Sequence, residues 1–243
     1  MIRLVGAELL KLRTTRTFWA LAGSAVGLVL VIVVLTLAID DQLNTQRDVR
    51  DLLSVAGLSG LLTLVLGVVV GAGEYRHGTI ASTLLVTPNR LRAVAAQVIA
   101  CFLGGLAIAS AAVALELIIG LPWLSSKDVL MPSAGDLAGD LLGGILYAGL
   151  AAALGTALGA LLRNQVAAVV SILVLIFVLE PTLNALVGGV APFTLTGLGA
   201  AMSGASGDDN SDLLSPGVAA LIWACYASLL AVFAAIRTAH RDI

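Results

Sequence analysis

Six times along its 243 residues this chain runs for about twenty residues with scarcely a charge, over 18–39, 54–72, 94–115, 141–162, 166–187 and 217–236. A bilayer core about 30 Å thick is crossed by about 20 apolar residues of helix. Inside it every backbone N–H and C=O must be satisfied by the protein itself, which leaves only helices and closed barrels. Barrel strands alternate apolar and polar residues, whereas these runs are continuously apolar. Six transmembrane helices are therefore expected, in an all-α integral membrane protein forming one domain over 1–243. Composition agrees. Charged residues are 12% of the chain and hydrophobic ones 59%, where a soluble domain carries roughly 25% charge. Mean hydropathy is +1.05. The first run is too long for the apolar stretch of a cleavable leader and ends in Ile39-Asp40-Asp41 without a small-residue cleavage site.

The charges are sorted by position. Alternate loops hold Arg3, Lys11, Arg13 and Arg16; then Arg76, Arg90 and Arg92; then Arg163; then Arg237 and Arg241. Those are ten of the 13 basic residues, and the other loops hold Arg47, Arg50 and Lys127. Lys and Arg mark the cytoplasmic side, so both termini are expected there, in the cell membrane, with an even number of spans.

Several chemistries are excluded. Lys11 and Lys127 are the only lysines, and neither follows a glycine, so no phosphate-binding loop of the G-x-x-x-x-G-K-[ST] type exists. Cys101 and Cys225 lie in apolar runs, and His77 and His240 are far apart, which argues against a metal centre. Basic residues are too few and scattered for nucleic acid. Neither catalytic residues nor a directly bound cofactor are expected.

Three stretches invite a functional reading. In 1–17, Ile2, Val5, Leu9 and Leu12 recur at helical spacing, with Arg3, Glu8 and Lys11 on the other side. Such a helix lies in the headgroup layer, although the segment also serves simply as the positive flank of the first span. In 73–93, Gly78 ends a helical extension, Thr79 caps a short helix over 80–85, and Thr87-Pro88 reads as N-cap and N1 of the third span. This is a docking surface for a soluble partner or a well-capped hairpin connection. In 180–216, Glu180-Pro181 ends the fifth span, and apolar pieces over 183–190 and 193–202, each too short to cross, flank Pro192. Irregular backbone survives at membrane depth only inside protein, so a re-entrant segment is expected, followed by an acidic tip. No charge is expected at mid-membrane. Glu116 and Glu180 come closest, at the outer ends of spans, and are either solvated there or candidate residues on a substrate path. Four G-x-x-x-G pairs (Gly23/Gly27, Gly67/Gly71, Gly139/Gly143 and Gly155/Gly159) indicate close helix approach without naming a seam.

Together, Glu8-Leu9-Leu10-Lys11-Leu12-Arg13-Thr14-Thr15-Arg16 before a Trp-containing first span, Glu74-Tyr75-Arg76-His77-Gly78-Thr79 leading to Thr87-Pro88 and Arg90, and the broken segment before the last span resemble the membrane subunits of type-2 ABC exporters. The resemblance implies a permease that pairs with a second copy or a related permease and docks a separate subunit carrying ATP and Mg. By it, 1–17 is the connecting helix, 80–85 the coupling helix, and 180–216 the re-entrant segment. Glu74, Arg76, His77, Thr79, Ile80, Leu84 and Leu85 would contact the ATPase. A hydrophobic or amphipathic substrate suits the Ala-, Leu- and Val-rich spans. The competing readings are a membrane anchor that binds a partner through the same loop, and a stand-alone secondary carrier.

Overall fold

The computed structural model describes residues 1–39, 45–76, 89–126, 131–205 and 213–239. Every regular element among them is helical: α1 (Ile2–Thr14), α2 (Arg16–Ile39), α3 (Gln46–Leu53), a 3-10 turn (Val55–Leu58), α4 (Ser59–Arg76), α5 (Arg90–Ser126), α6 (Ala134–Leu162), α7 (Gln165–Val174), a π-helical turn (Leu175–Leu179), α8 (Glu180–Leu186), a second 3-10 turn (Ala191–Phe193), α9 (Leu195–Ser203) and α10 (Pro216–Ala239). Five helical stretches are long and apolar enough to cross a membrane: Arg16–Ile39, Leu91–Ser125, Ala134–Leu162, Gln165–Leu186 and Pro216–Arg237. Their outer faces carry Val31, Phe177, Leu221 and Phe233, all more than half exposed. In water that surface would cost about 25 cal/mol for each Å2 of apolar area; it is the surface of a multi-pass membrane protein. α4 has 18 residues but closes on Glu74-Tyr75-Arg76, and much of it is buried.

α6 is the hub, packing on α4, α5, α9 and α10. Its tightest partner is α4, and the reason is glycine. A Cβ on Gly67 or Gly71 would strike the backbone at Ala152 and Thr156, and one on Gly155 or Gly159 would strike the backbone at Leu64 and Val68. The two G-x-x-x-G pairs thus form one seam inside the chain, each removing the side chain that would hold the other helix away. Gly23 and Gly27 have nothing within 4 Å of a built Cβ. Higher up the same helix, Tyr147 fills the space left by Gly60 and Gly199 and meets Trp223 edge-on, with centroids 5.6 Å apart.

Local chemistry sets the ends. Ser133 caps α6 by accepting from the Asp136 N–H at 3.2 Å. Arg163 closes it in the left-handed region at φ 57°, and Asn164 at once caps α7 by accepting from the Ala167 N–H at 3.1 Å. A two-residue turn therefore joins α6 to α7. α3, which the apolar runs do not reveal, carries a full Thr45–Asp48 capping box and buries Val49, Leu52 and Leu53.

Three expectations need correction. α5 spans 37 residues, about 55 Å at 1.5 Å per residue, so it projects well beyond the 94–115 window. The described part begins at Asn89, whose side chain accepts from the Arg92 N–H at 3.2 Å; Thr87 and Pro88 lie outside the described residues. Pro181 does not end the fifth helix, which continues to Leu186. Proline clashes with the carbonyl four residues back, and the wider π turn relieves this: the Glu180 N–H bonds to the Leu175 carbonyl five residues back. Lastly, the apolar stripe of α1 partly meets protein, because Leu12 is buried with Ala100 and Cys101 of α5, while Ile2 stays 90% exposed.

Candidate functional site: the basic end of the bundle

The carboxyl ends of α4, α6 and α10 meet at one end of the bundle, and arginine joins them. Arg163 Nη2 donates to the Arg237 carbonyl at 3.4 Å, and Arg237 Nη1 donates to the Leu161 carbonyl at 3.2 Å. Each cation thus serves the carbonyl-rich end of the other's helix, where the macrodipole favours positive charge. The Arg163 guanidinium also lies 4.9 Å from the centroid of the Tyr75 ring. Arg76 Nη1 donates to Gln165 Oε1 at 2.9 Å, tying the last residue of α4 to the first of α7.

α1 lies against this end. Lys11 Nζ donates to Glu74 Oε1 and lies 3.4 Å from Glu8 Oε2. One ammonium is shared by two carboxylates, and Glu74 is 9% exposed. Burial pushes the Glu8 carboxyl above its ordinary value of 4.5, with Lys11 opposing and Glu74 adding to the rise. Burial works against the Lys11 charge too, but its contacts with Glu74 and Glu8 outweigh that and raise its pKa above 10.5. The result is an ionic link between an amphipathic surface helix and the end of a core helix.

Of the residues expected to contact a partner, Glu74 and Arg76 are at this end. His77, Thr79, Ile80, Leu84 and Leu85, with the 80–85 helix, lie outside the described residues. α4 ends at Arg76 and α5 begins at Arg90. Sequence reading missed Lys11 as the partner of Glu74, and Gln165 as the partner of Arg76. Their separations of 63 and 89 residues offer no local signal.

The two candidate path residues behave differently from the solvated picture. Glu180 is 3% exposed. Its carboxylate accepts from the Leu195 N–H at 2.8 Å, the Thr196 N–H at 3.1 Å and the Thr196 hydroxyl at 2.6 Å. It occupies the amino end of α9, where free N–H groups and the macrodipole favour an anion. Thr194 caps the same helix through the Gly197 N–H at 3.1 Å. Glu116 is fully buried, ten residues before the end of α5. It is not at the outer end of its helix, as the 94–115 window implied, because α5 is longer than its apolar run. On the far end, Arg50 Nε donates to Asp140 Oδ2 at 2.8 Å, holding α3 to α6.

No family model matches the chain, and no curated protein sequence does.

Proposed function

We propose that this chain is the membrane-spanning permease subunit of an ATP-driven exporter, worked by a separate ATP-binding subunit that docks at the basic end. In this reading α4 is the sixth crossing, both termini and 77–88 face the cytoplasm, and a second permease copy or relative completes the transporter. α8, the 3-10 turn and α9 form the re-entrant segment, with Glu180 holding its fold. The observation that carries the reading is the Lys11 bridge from α1 to Glu74. It couples a surface helix to α4, which ends where 77–88 emerges and which meshes with the hub α6 along the glycine seam. Force applied by a partner at that end has a packed route into the core. The transported compound is proposed to be hydrophobic or amphipathic.

The test is pull-down of the partner ATPase with substrate-stimulated hydrolysis in reconstituted membranes. Replacing Leu84 and Leu85 by Ala is expected to weaken association at least tenfold, about 1.4 kcal/mol, because buried apolar anchors concentrate docking energy. Insertion and thermal stability are expected to hold. Unchanged binding and hydrolysis would reduce 77–88 to a connection. The buried Glu116 favours a secondary carrier as the second reading, since carboxylates within spans mark ion and proton paths. Transport driven by an ion gradient in vesicles without any ATPase would select it.

A further inference from the structure

Between α1, the start of α2, α4 and α7 the basic end contains a pocket of about 400 Å3. Phe18, Leu66 and Val70 contribute to its apolar floor, and Lys11, Glu74 and Arg76 to its polar rim. The rim charges are not equivalent. Lys11 is answered by Glu8 and Glu74. Arg76 is exposed, and its hydrogen bond among the described residues goes to the neutral amide of Gln165. That bond fixes the guanidinium without spending its charge. The elements around the pocket have the chemistry of a membrane interface. The pocket is bounded by the amphipathic α1, and next to it Trp19, 59% exposed, donates its indole N–H to the Arg13 carbonyl at 2.8 Å, as interfacial aromatic residues do.

We propose that this pocket binds a phospholipid from the leaflet that holds α1, its phosphodiester on Arg76 and its first acyl methylenes on the Phe18–Leu66–Val70 floor. A planar guanidinium matches phosphate oxygens in a fork. The link from Lys11 to Glu74 offsets that carboxylate's repulsion of the phosphate. A water-soluble phosphate would leave the apolar floor wet, whereas a lipid covers floor and rim together. Leaflets rich in anionic lipid further favour a site whose exposed guanidinium, on Arg76, has a neutral amide as its hydrogen-bond partner among the described residues. The inference uses the membrane setting and not the partnership with an ATPase.

Binding is measured on purified, delipidated full-length protein in detergent. Dioctanoyl phosphatidylglycerol is titrated beside dioctanoylglycerol, which lacks the phosphate, and glycerol phosphate, which lacks the chains. Phosphatidylglycerol is expected to bind at least tenfold tighter than either. Arg76→Gln should remove about tenfold of that affinity, and Phe18→Ala should weaken it also. Arg92→Gln, at an exposed arginine that does not line the pocket, should leave it unchanged. Equal binding of dioctanoylglycerol, equal binding of glycerol phosphate, or full affinity in Arg76→Gln overturns the proposal. Should that variant fail to fold, the three-ligand contrast on the wild type decides alone.

Discussion

Glu180 shows how much one side chain holds. Two of its three accepted hydrogen bonds satisfy the first N–H groups of α9, and the third holds the Thr196 hydroxyl, all from a helix that starts 15 residues earlier in sequence. Bonds to charged groups contribute about 1.5–3 kcal/mol each, and stranded buried donors cost further. Glu180→Ala is expected to lower stability by about 3 kcal/mol or more on that basis, read as a drop in detergent melting temperature. Glu180→Gln, which keeps an acceptor oxygen, should recover part of the loss; equal melting of Glu180→Ala and wild type would contradict the assigned role. Glu8 yields a prediction in pH. Its folded pKa is raised, so its contribution to stability is full below the ordinary 4.5 and fades as pH climbs through the raised folded value. Lys11, also raised, keeps its contribution until pH passes above 10.5. Acidifying through the raised folded value toward the ordinary 4.5 should therefore stabilise the docked α1, and Glu8→Gln should flatten that dependence. Amide exchange along 2–14 reads the effect. A Glu8→Gln variant with the wild-type pH slope would rule it out.

Between elements, packing is decided by where glycine removes a side chain. Gly155→Ala places a methyl against the α4 backbone at Leu64. Overpacking of a tight contact costs about 1–3 kcal/mol, and here backbone, not a flexible side chain, must yield. Gly23→Ala meets nothing within 4 Å, and alanine favours a helix by about 0.5–1 kcal/mol over glycine. The melting temperatures of the two variants are expected to move in opposite directions; a common shift would sink the seam. Both pairs carry the same G-x-x-x-G spacing, so the motif marked four candidates and the tertiary contact selected among them. α3 was legible in principle: Thr45 and Asp48 have capping-box spacing. Its eight residues, four of them charged, form no apolar run of the length that lipid demands.

At the scale of the molecule, the sorted arginines make a topology that labelling can check. Single cysteines at 45 and 206 are expected to react with an impermeant reagent from outside intact cells, and those at 78 and 164 only after permeabilisation. The background is Cys101 and Cys225 replaced. Cys101 is buried and Cys225 exposed. External labelling of residue 78 would reverse the arrangement and, with it, the docking end proposed for the ATPase.

The chain by itself determined that the fold is helical and apolar, and most of where its long helices lie. Those properties follow from hydropathy over about twenty consecutive residues, and lipid imposes them locally. It also set the caps at Ser133 and Asn164, because a cap is a contact across three residues. Only the tertiary structure decided that Lys11 meets Glu74, that Arg76 meets Gln165, and that Glu180 serves α9 and not solvent. In an apolar helix the face toward lipid and the face toward protein share one chemistry. No periodicity in the sequence separates them, and which residues touch is settled by packing alone.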